Sequence, residues 1–229
     1  STAMSRQLAG IVPVILAGGK SSRMGWNKSL AAVGSARMIE IVTGKVSGLF
    51  SAPPLLVTNT PEVYRYLGLT MVADIFVDMG PLAGIHSALR HTSAPGIFVF
   101  GCDMPFISGE LVRHMAGLAQ DYDAVVPRQD SARPEPLHAI YSRRCLAVIE
   151  ACLTRGQRRI AAFFPEVSVR YIDEPEIRSV TPEGDIFLNI NTPAELEKGR
   201  KLWSAGDSHC IDSSDGIKGK LISHLTKGN

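Results

Sequence analysis

Short apolar runs bounded by turn-forming residues recur along the first 130 residues of the chain. They are VPVIL (12–16), PLLVT (54–58), TMVA (70–73), IFVFG (97–101) and DAVVP (123–127). Continuous apolar runs of this length, with little polar alternation, are typical of strands that are covered on both faces. The pattern therefore predicts five buried strands.

Helical patterns separate and follow these runs. In residues 37–50 the apolar positions recur at spacings of three and four, and residues 144–153 show the same pattern. Near the end, NTPAEL offers Thr192 as N-cap with Glu195 three residues later, which predicts a helix that begins at Pro193. Alternating strands and helices indicate an α/β fold with a mainly parallel sheet and helices on both faces.

The chain divides into one domain and two flanking pieces. Residues 1–9 are interpreted as a cloning remnant (STAM) and an N-terminal lead, and residues 10–203 as a single domain. After Trp203 the composition becomes small and polar, which predicts a flexible tail over residues 204–229.

Composition narrows the function classes. Hydrophobic residues make up 45% of the 229, and 24 basic against 22 acidic side chains leave a net charge of +2. No global basic field favours nucleic acid as a partner, and no apolar run approaches the roughly 18 residues of a membrane span. The four cysteines form no CxxC pair, so they predict reduced thiols in a cytoplasmic protein.

The first strand leads into a glycine-rich, cationic segment, VILAGGKSSRMGWNKSL (14–30), which contains no carboxylate. A P-loop would need Gly-Lys-Ser/Thr where Met24, Gly25 and Trp26 stand, and the adjacent glycines do not match a dinucleotide fingerprint. What remains is an amide cradle with Arg23 and Lys28 able to reach a polyphosphate. A flexible surface loop with solvated cations is the open alternative.

Other candidate residues follow later strands. Asp103 comes directly after IFVFG, where a carboxylate can hold Mg²⁺ together with phosphate oxygens, although a turn or capping role before a helix near Ser108 stays open. Asp74 follows TMVA and could equally be a solvated loop residue. GPLAG (80–84) is predicted as a glycine-bearing loop whose backbone approaches a flat ring, or as a tight turn before a helix. His138 is interpreted as a packed strand residue rather than a substrate contact.

Together these motifs resemble the nucleotidyltransferase family that includes molybdenum cofactor guanylyltransferase. Residues 16–30 are similar to its pattern LAGGxSxRMGxDK, with Asn27 in place of the aspartate. GPLAG, CDMPF (102–106), RPEPLHAIY (133–141), GQRRI (156–160) and NINTPAEL (189–196) occur in the family's order and spacing. The resemblance covers about residues 10–203 and implies a single Rossmann-like, glycosyltransferase-A-type, three-layer domain.

The resemblance also implies a set of site residues. Arg23, Lys28 and Asp103 are the implied catalytic residues. Asp103 and Asn189 are the implied metal ligands, with Asn191 the less favoured choice. Those implied to bind the nucleotide are Leu16, Ala17, Gly18, Gly19, Arg23, Lys28, Asn59, Asp74, Pro81, Leu82, Ala83, Gly84 and Asp103, with Thr58 as the alternative to Asn59. Those implied to face the pterin substrate are Arg133, Pro134, Pro136, Arg158 and Arg159.

The implied reaction is transfer of GMP from GTP to the terminal phosphate of molybdenum-molybdopterin, with Mg²⁺ as cofactor and pyrophosphate as by-product. Transient contacts with molybdenum cofactor biosynthesis proteins or apo-molybdoenzymes are implied as well. The alternatives are a cytidylyltransferase or sugar-phosphate nucleotidyltransferase of the same fold, and a nucleotide-binding regulatory protein without turnover. The motifs LAGG (16–19) and PLAG (81–84) favour guanine over cytosine as the base of the nucleotide, as the resemblance implies.

Overall fold

The central sheet is built around strand β1, whose side chains are buried alternately on its two faces. The computed structural model describes residues 6–18, 32–33, 36–129, 133–182 and 193–206. The strands are β1 Ile11–Leu16, β2 Ala32–Val33, β3 Ala36–Arg37, β4 Leu55–Val57, β5 Thr70–Val72, β6 Gly96–Gly101, β7 Ala124–Gln129, β8 Arg133–Pro134, β9 His138–Ser142 and β10 Val169–Ile172. All five predicted strands are confirmed as β1, β4, β5, β6 and β7.

Helices join and flank these strands. The α-helices are α1 Met38–Leu49, α2 Pro61–Tyr64, α3 Gly80–Arg90, α4 Gly109–Leu118, α5 Leu146–Thr154, α6 Glu174–Val180 and α7 Pro193–Gly206, with 3₁₀ turns at Arg65–Leu67, Arg143–Cys145 and Ile160–Glu166. The predicted start of a helix at Pro193 is confirmed, and this helix continues to Gly206, into the stretch assigned to the tail. The rest of that stretch lies outside the described residues.

Within the described residues the main sheet has the order β10-β7-β9-β6-β1-β4-β5, with β8 paired to β7. The pairs β1–β4, β1–β6, β4–β5 and β7–β10 are parallel, whereas β9 runs antiparallel to both β6 and β7. Because β9 is inserted between β6 and β7, the carboxyl ends of β1, β4, β5, β6, β7 and β10 meet at one edge. That edge carries the candidate site.

Two apolar clusters, one on each face of the sheet, form the core. The first joins Ile15 of β1 and Phe98 of β6 to α1, α4 and α6, while the second joins Val14 and Val99 of the same strands to α3 and α5. Since neighbouring residues of a strand point to opposite faces, continuous apolar strands give this helix–sheet–helix sandwich. The predicted mainly parallel α/β architecture is therefore confirmed.

The buried thiols belong to this core. Cys102, Cys145 and Cys152 are buried, and no disulfide joins any of them to another described residue. Burial raises the pKa of Cys145 to about 12, so its thiol stays protonated at neutral pH.

Among the helices of the described segments, none has both the length and the hydropathy that a bilayer crossing requires.

His138 is confirmed as a packed strand residue. It is 3% exposed at the start of β9, and the edges of the Phe98 and Phe100 rings meet its imidazole at centroid distances of 5.3 and 5.4 Å. Complete desolvation lowers its pKa to about 4.

Because the unfolded chain binds a proton at His138 near pH 6.5 and the folded chain does not, stability falls as the pH drops below that value. We expect His138 to remove about 2 kcal/mol of unfolding free energy between pH 7.5 and pH 5. Urea unfolding at both pH values measures this loss, and His138→Leu should reduce it by the same amount. An unchanged pH dependence in His138→Leu would contradict the assignment.

Candidate active site

The ends of β1 and β4 form one side of the site. Leu16 and Ala17 are buried, with the Ala17 amide donating to the carbonyl of Val57 at 3.0 Å, and Gly18 is exposed at the end of the described segment. Leu16 and Ala17 therefore turn their side chains into the core and present only backbone to the edge. Gly19, Arg23 and Lys28, which follow, lie outside the described residues.

Asn59 and Asp74 meet across the ends of β4 and β5. Asn59 Nδ2 donates to Asp74 Oδ2 at 3.1 Å, and the Asp74 amide donates to Asn59 Oδ1 at 3.0 Å. Thr58 is only 2% exposed, and its hydroxyl contacts that of Thr60 at 3.3 Å. Of the two alternatives after β4, Asn59 is thus the one that is exposed at the edge.

GPLAG is the beginning of helix α3, so its prediction as a loop is wrong. Pro81 is tolerated because it stands in the first turn, where a backbone N–H has no helical partner. Leu82 and Ala83 are fully buried, so their side chains pack in the core and only their backbone can approach a ligand. Gly80 has φ 72°, a left-handed conformation that glycine adopts without strain.

Helix α3 packs closely against the end of β1 and the residues that follow β5. A Cβ placed on Gly84 would lie 3.1 Å from Leu16 Cδ2 and 3.8 Å from Asp74 Oδ1. Ser87, whose role the sequence did not reveal, donates its hydroxyl to the carbonyl of Ala73 at 2.5 Å. These contacts hold the first turns of α3 beside the residues that follow β5.

Asp103 follows β6 in the same edge and is partly buried. One of its carboxylate oxygens lies 2.9 Å from the point where a Cβ on Gly101 would stand, so the carboxylate fills the space that this glycine leaves. The predicted helix after Asp103 is confirmed as α4, with Ser108 Oγ accepting from the Leu111 amide at 3.2 Å. Ser108 therefore caps that helix, and Asp103 does not.

The segment implied to face the pterin is held by a buried tyrosine. Arg133 is exposed in β8, and Pro134 and Pro136 are partly buried. Tyr141, fully buried in β9, donates its hydroxyl to the Pro136 carbonyl at 2.6 Å.

We expect Tyr141→Phe to lower the free energy of unfolding by about 1–2 kcal/mol, because the Pro136 carbonyl loses its donor. Chemical denaturation measures the change. Tyr66→Phe is the comparison variant: its hydroxyl is bonded to the Arg37 and Glu40 side chains at a half-exposed position, where water can replace the lost partner, so it should cost less than Tyr141→Phe. Equal stability of Tyr141→Phe and the parent would show that this hydrogen bond contributes nothing.

Arg158 and Arg159 are exposed beside the start of α3. The carbonyl oxygen of Arg158 lies 3.9 Å from the position of a Cβ on Gly80, which places this pair next to GPLAG although 78 residues separate the two. No described carboxylate forms an ion pair with either guanidinium. By contrast, Arg128 at the end of β7 is held by Asp173 at 2.8 Å and lies over the Tyr171 ring, so its charge is already neutralised.

The charges at the edge are consistent with an anionic ligand and a hard cation. Partial burial raises the pKa of Asp74, while the hydrogen bond from Asn59 lowers it. The described residues contain no group of three or more His, Cys, Asp or Glu side chains that could hold a metal by themselves. A single carboxylate such as Asp103 fits Mg²⁺, which binds through one or two carboxylates plus phosphate oxygens and water. Asn189 and Asn191 lie outside the described residues.

The model of the MobA-like NTP transferase domain matches residues 13–169. The chain belongs to this family. A probable molybdenum cofactor guanylyltransferase of Pelotomaculum thermopropionicum is 40% identical over 189 residues, which are 82% of this chain and 91% of that relative. A molybdenum cofactor guanylyltransferase of Desulfosudis oleivorans is 37% identical over 198 residues, 86% of this chain and 97% of the relative.

A solved structure of the family has the same fold. Molybdopterin-guanine dinucleotide biosynthesis protein A from Archaeoglobus fulgidus matches with a TM-score of 0.74 and 28% identity, over 85% of this chain and all of that one. The resemblance to this family is therefore confirmed, and the chain is a nucleotidyltransferase of the MobA-like family. The roles of the individual site residues stay predictions.

Proposed function

We propose that this chain transfers GMP from GTP to the terminal phosphate of molybdenum-molybdopterin, giving molybdopterin guanine dinucleotide and pyrophosphate. The observation that carries the proposal is its 37–40% identity to guanylyltransferases over more than nine-tenths of their length. The edge of the sheet supports it, because Asp74 and Asp103 follow parallel strands that end there and the exposed Arg158 lies beside GPLAG.

The nucleophile in this reaction is a phosphate oxygen that is already an anion, so no side chain has to remove a proton from it. The histidines near this edge agree with that expectation. His138 and His86 are buried, and burial lowers the pKa of both. The obstacle is repulsion between two polyanions, and the remedies are positioning and positive charge.

Each group of residues has a role in this proposal. Asp103, together with Asn189, would hold Mg²⁺, which when bound neutralises charge on the triphosphate. Arg23, Lys28 and the amides that follow β1 would hold the phosphates and stabilise the leaving pyrophosphate. Arg158 and Arg159 have no described acidic partner, so they would bind the phosphate of the pterin substrate.

Asp74 favours guanine as the base. An ionised carboxylate only accepts hydrogen bonds, and guanine presents two adjacent donors, N1–H and the 2-amino group, on one edge. Adenine and cytosine each present a ring-nitrogen acceptor at the equivalent place. The carboxylate of Asp74 packs beside the first turns of α3, so the base would bind next to both Asp74 and GPLAG at this edge.

We place the reaction in the cytoplasm, where thiols such as those of the buried cysteines stay reduced. GTP and molybdopterin are the proposed small-molecule partners. Proteins of molybdenum cofactor biosynthesis or apo-molybdoenzymes would supply the substrate or accept the product through transient contacts.

Calorimetric titration with GTP, CTP and ATP, each with Mg²⁺ at one fixed salt concentration, tests the nucleotide half of the proposal. We expect clear preference for GTP. Preference for CTP would move the protein to the cytidylyl branch of the fold, and absence of binding by all three would favour a regulatory protein without turnover.

A further inference from the structure

The guanidinium of Arg128 is held in one orientation at the carboxyl edge of the sheet. Its Nε and Nη2 donate to the two carboxylate oxygens of Asp173 at 2.8 and 3.1 Å, which fixes the direction of the group. Its Cζ lies over the Tyr171 ring, 4.0 Å from the ring centroid, so the ring covers one side of the guanidinium. Among the described residues none accepts a hydrogen bond from Nη1, and 29% of the side chain stays exposed.

We propose that the stack formed by Arg128 and Tyr171 is a specificity-determining surface for the pterin of the acceptor substrate. The pterin ring lies on the side of the guanidinium that Tyr171 does not cover. The inference deepens the proposed function and rests on it, because it concerns the second substrate of the same reaction. Neither residue is among those that the family resemblance implied to face the pterin.

The position of this stack in the sheet supports the proposal. Arg128 is paired in register with Pro134 of β8, so the two side chains lie on the same face. Tyr171 of β10 is the partner of Val126, two residues before Arg128 in β7, and therefore lies on that face too. Val126 belongs to the apolar cluster that α3 and α5 cover. The stack is thus on the α3 side of the sheet, beside a proline that the resemblance assigns to the pterin.

The 3₁₀ turn at Ile160–Glu166 connects the stack to the exposed arginine pair. The turn begins directly after Arg158 and Arg159, and its Phe164 contacts the Tyr171 ring at a centroid distance of 6.4 Å. The arginines proposed to bind the phosphate and the aromatic residue that packs beside the stack therefore belong to one short segment. A phosphate-bearing pterin needs both kinds of contact, a cation for the phosphate and a flat surface for the ring.

The ion pair with Asp173 decides which part of the substrate Arg128 can bind. An unpaired guanidinium binds phosphate, but the carboxylate beside Arg128 would repel a second anion. The pyrimidinone half of a pterin is flat and uncharged near neutral pH, so it can stack on a guanidinium without that repulsion. Arg158 and Arg159 have no described acidic partner and keep the phosphate role.

The test measures the affinity of the full chain for molybdopterin and, separately, for GTP with Mg²⁺, by calorimetry. Arg128→Lys keeps a charge beside Asp173 but has no flat group, and Tyr171→Leu removes the ring beneath the guanidinium. We expect each variant to weaken molybdopterin binding roughly tenfold, as the loss of one stacking contact does, and to leave GTP affinity within about twofold of the parent. Tyr171→Phe keeps the ring and should bind molybdopterin as the parent does.

Arg144→Lys is the matched control. Arg144 pairs with Asp123 at 2.7 Å, just before β7 and therefore at the opposite edge of the sheet, so the variant makes the same exchange in another arginine–aspartate pair. It should leave both affinities unchanged. In steady-state assays Arg128→Lys should raise the KM for molybdenum-molybdopterin while the KM for GTP and kcat stay near the parental values. A general loss of structure would not give this split.

Equal molybdopterin affinity of the parent, Arg128→Lys and Tyr171→Leu would overturn the proposal. Weak binding by Arg128→Leu together with normal binding by Arg128→Lys would also overturn it, because charge and not stacking would then explain the contact. A parent protein that binds GTP but not molybdopterin would contradict the proposed acceptor, and with it the pterin as the ring that stacks here.

Discussion

Asp103→Asn should lower the rate of nucleotidyl transfer by at least 10²- to 10³-fold while the protein stays folded. The substitution keeps the shape of the side chain and removes its charge, so the space beside Gly101 stays filled. Asp103 is the described carboxylate at the end of β6, and the loss of one electrostatic contact to the reacting phosphates typically costs this much.

The prediction is measured as pyrophosphate release over a magnesium titration. Asp121→Asn makes the same chemical change in a turn at the opposite edge of the sheet, after α4, and should retain full activity. Melting temperatures of both variants within a few degrees of the parent exclude unfolding as the cause. Asp103→Asn with normal magnesium-dependent turnover would remove Asp103 from the metal site.

Lys28→Ala should weaken GTP binding and reduce turnover, together by about 10²- to 10³-fold in kcat/KM. The family pattern places a lysine at this position, and a cation about 4 Å from a phosphate gains on the order of 4 kcal/mol at a protein surface. Part of that energy is realised only as charge builds on the leaving pyrophosphate, so kcat should fall as well as affinity.

Lys20→Ala is the matched control, because Lys20 is a lysine of the same glycine-rich segment at a variable position of the family pattern. It should keep activity within a fewfold of the parent. Lys28→Arg should recover part of the lost rate, since it restores the charge. Equal losses in Lys20→Ala and Lys28→Ala would mean that only the net charge of the segment matters and would contradict a specific role for Lys28.

The strands and their sheet could be predicted because a strand that is buried on both faces has a continuous run of apolar residues in the sequence. Phe98 and Val99 are both apolar since each meets a different helical layer. The antiparallel insertion of β9 could not be predicted in this way. His138 to Ser142 is paired with residues about 40 positions earlier in β6, and the hydrophobic pattern of a strand does not indicate in which direction it runs beside its neighbour.

The helix that begins at GPLAG shows where local signals conflict. Glycine and proline together are typical of a turn, yet Leu82, Ile85 and Leu89 have helical spacing. Because these three side chains are buried against the sheet, the segment forms a helix. The signal that could have identified it is proline in a first helical turn. The wrong prediction matters for the site, because a helix start presents amide groups to a ligand, whereas a loop need not.

The contact between Asn59 and Asp74 could not have been derived from the sequence. The two residues are 15 positions apart and meet because β4 and β5 are adjacent and parallel, so that the residues after each strand reach the same edge. The approach of Arg158 to Gly80 is similar, since it depends on packing around α3. Site residues could be named from motifs, but their partners required the fold.

Product formation tests the central claim most directly. The full chain is incubated with molybdenum-molybdopterin, Mg²⁺ and either GTP or CTP, and both the dinucleotide product and pyrophosphate are quantified. We predict equal amounts of molybdopterin guanine dinucleotide and pyrophosphate from GTP, and no turnover without the pterin. Product from CTP in preference to GTP, or no dinucleotide from either nucleotide, would contradict the proposed guanylyltransferase activity.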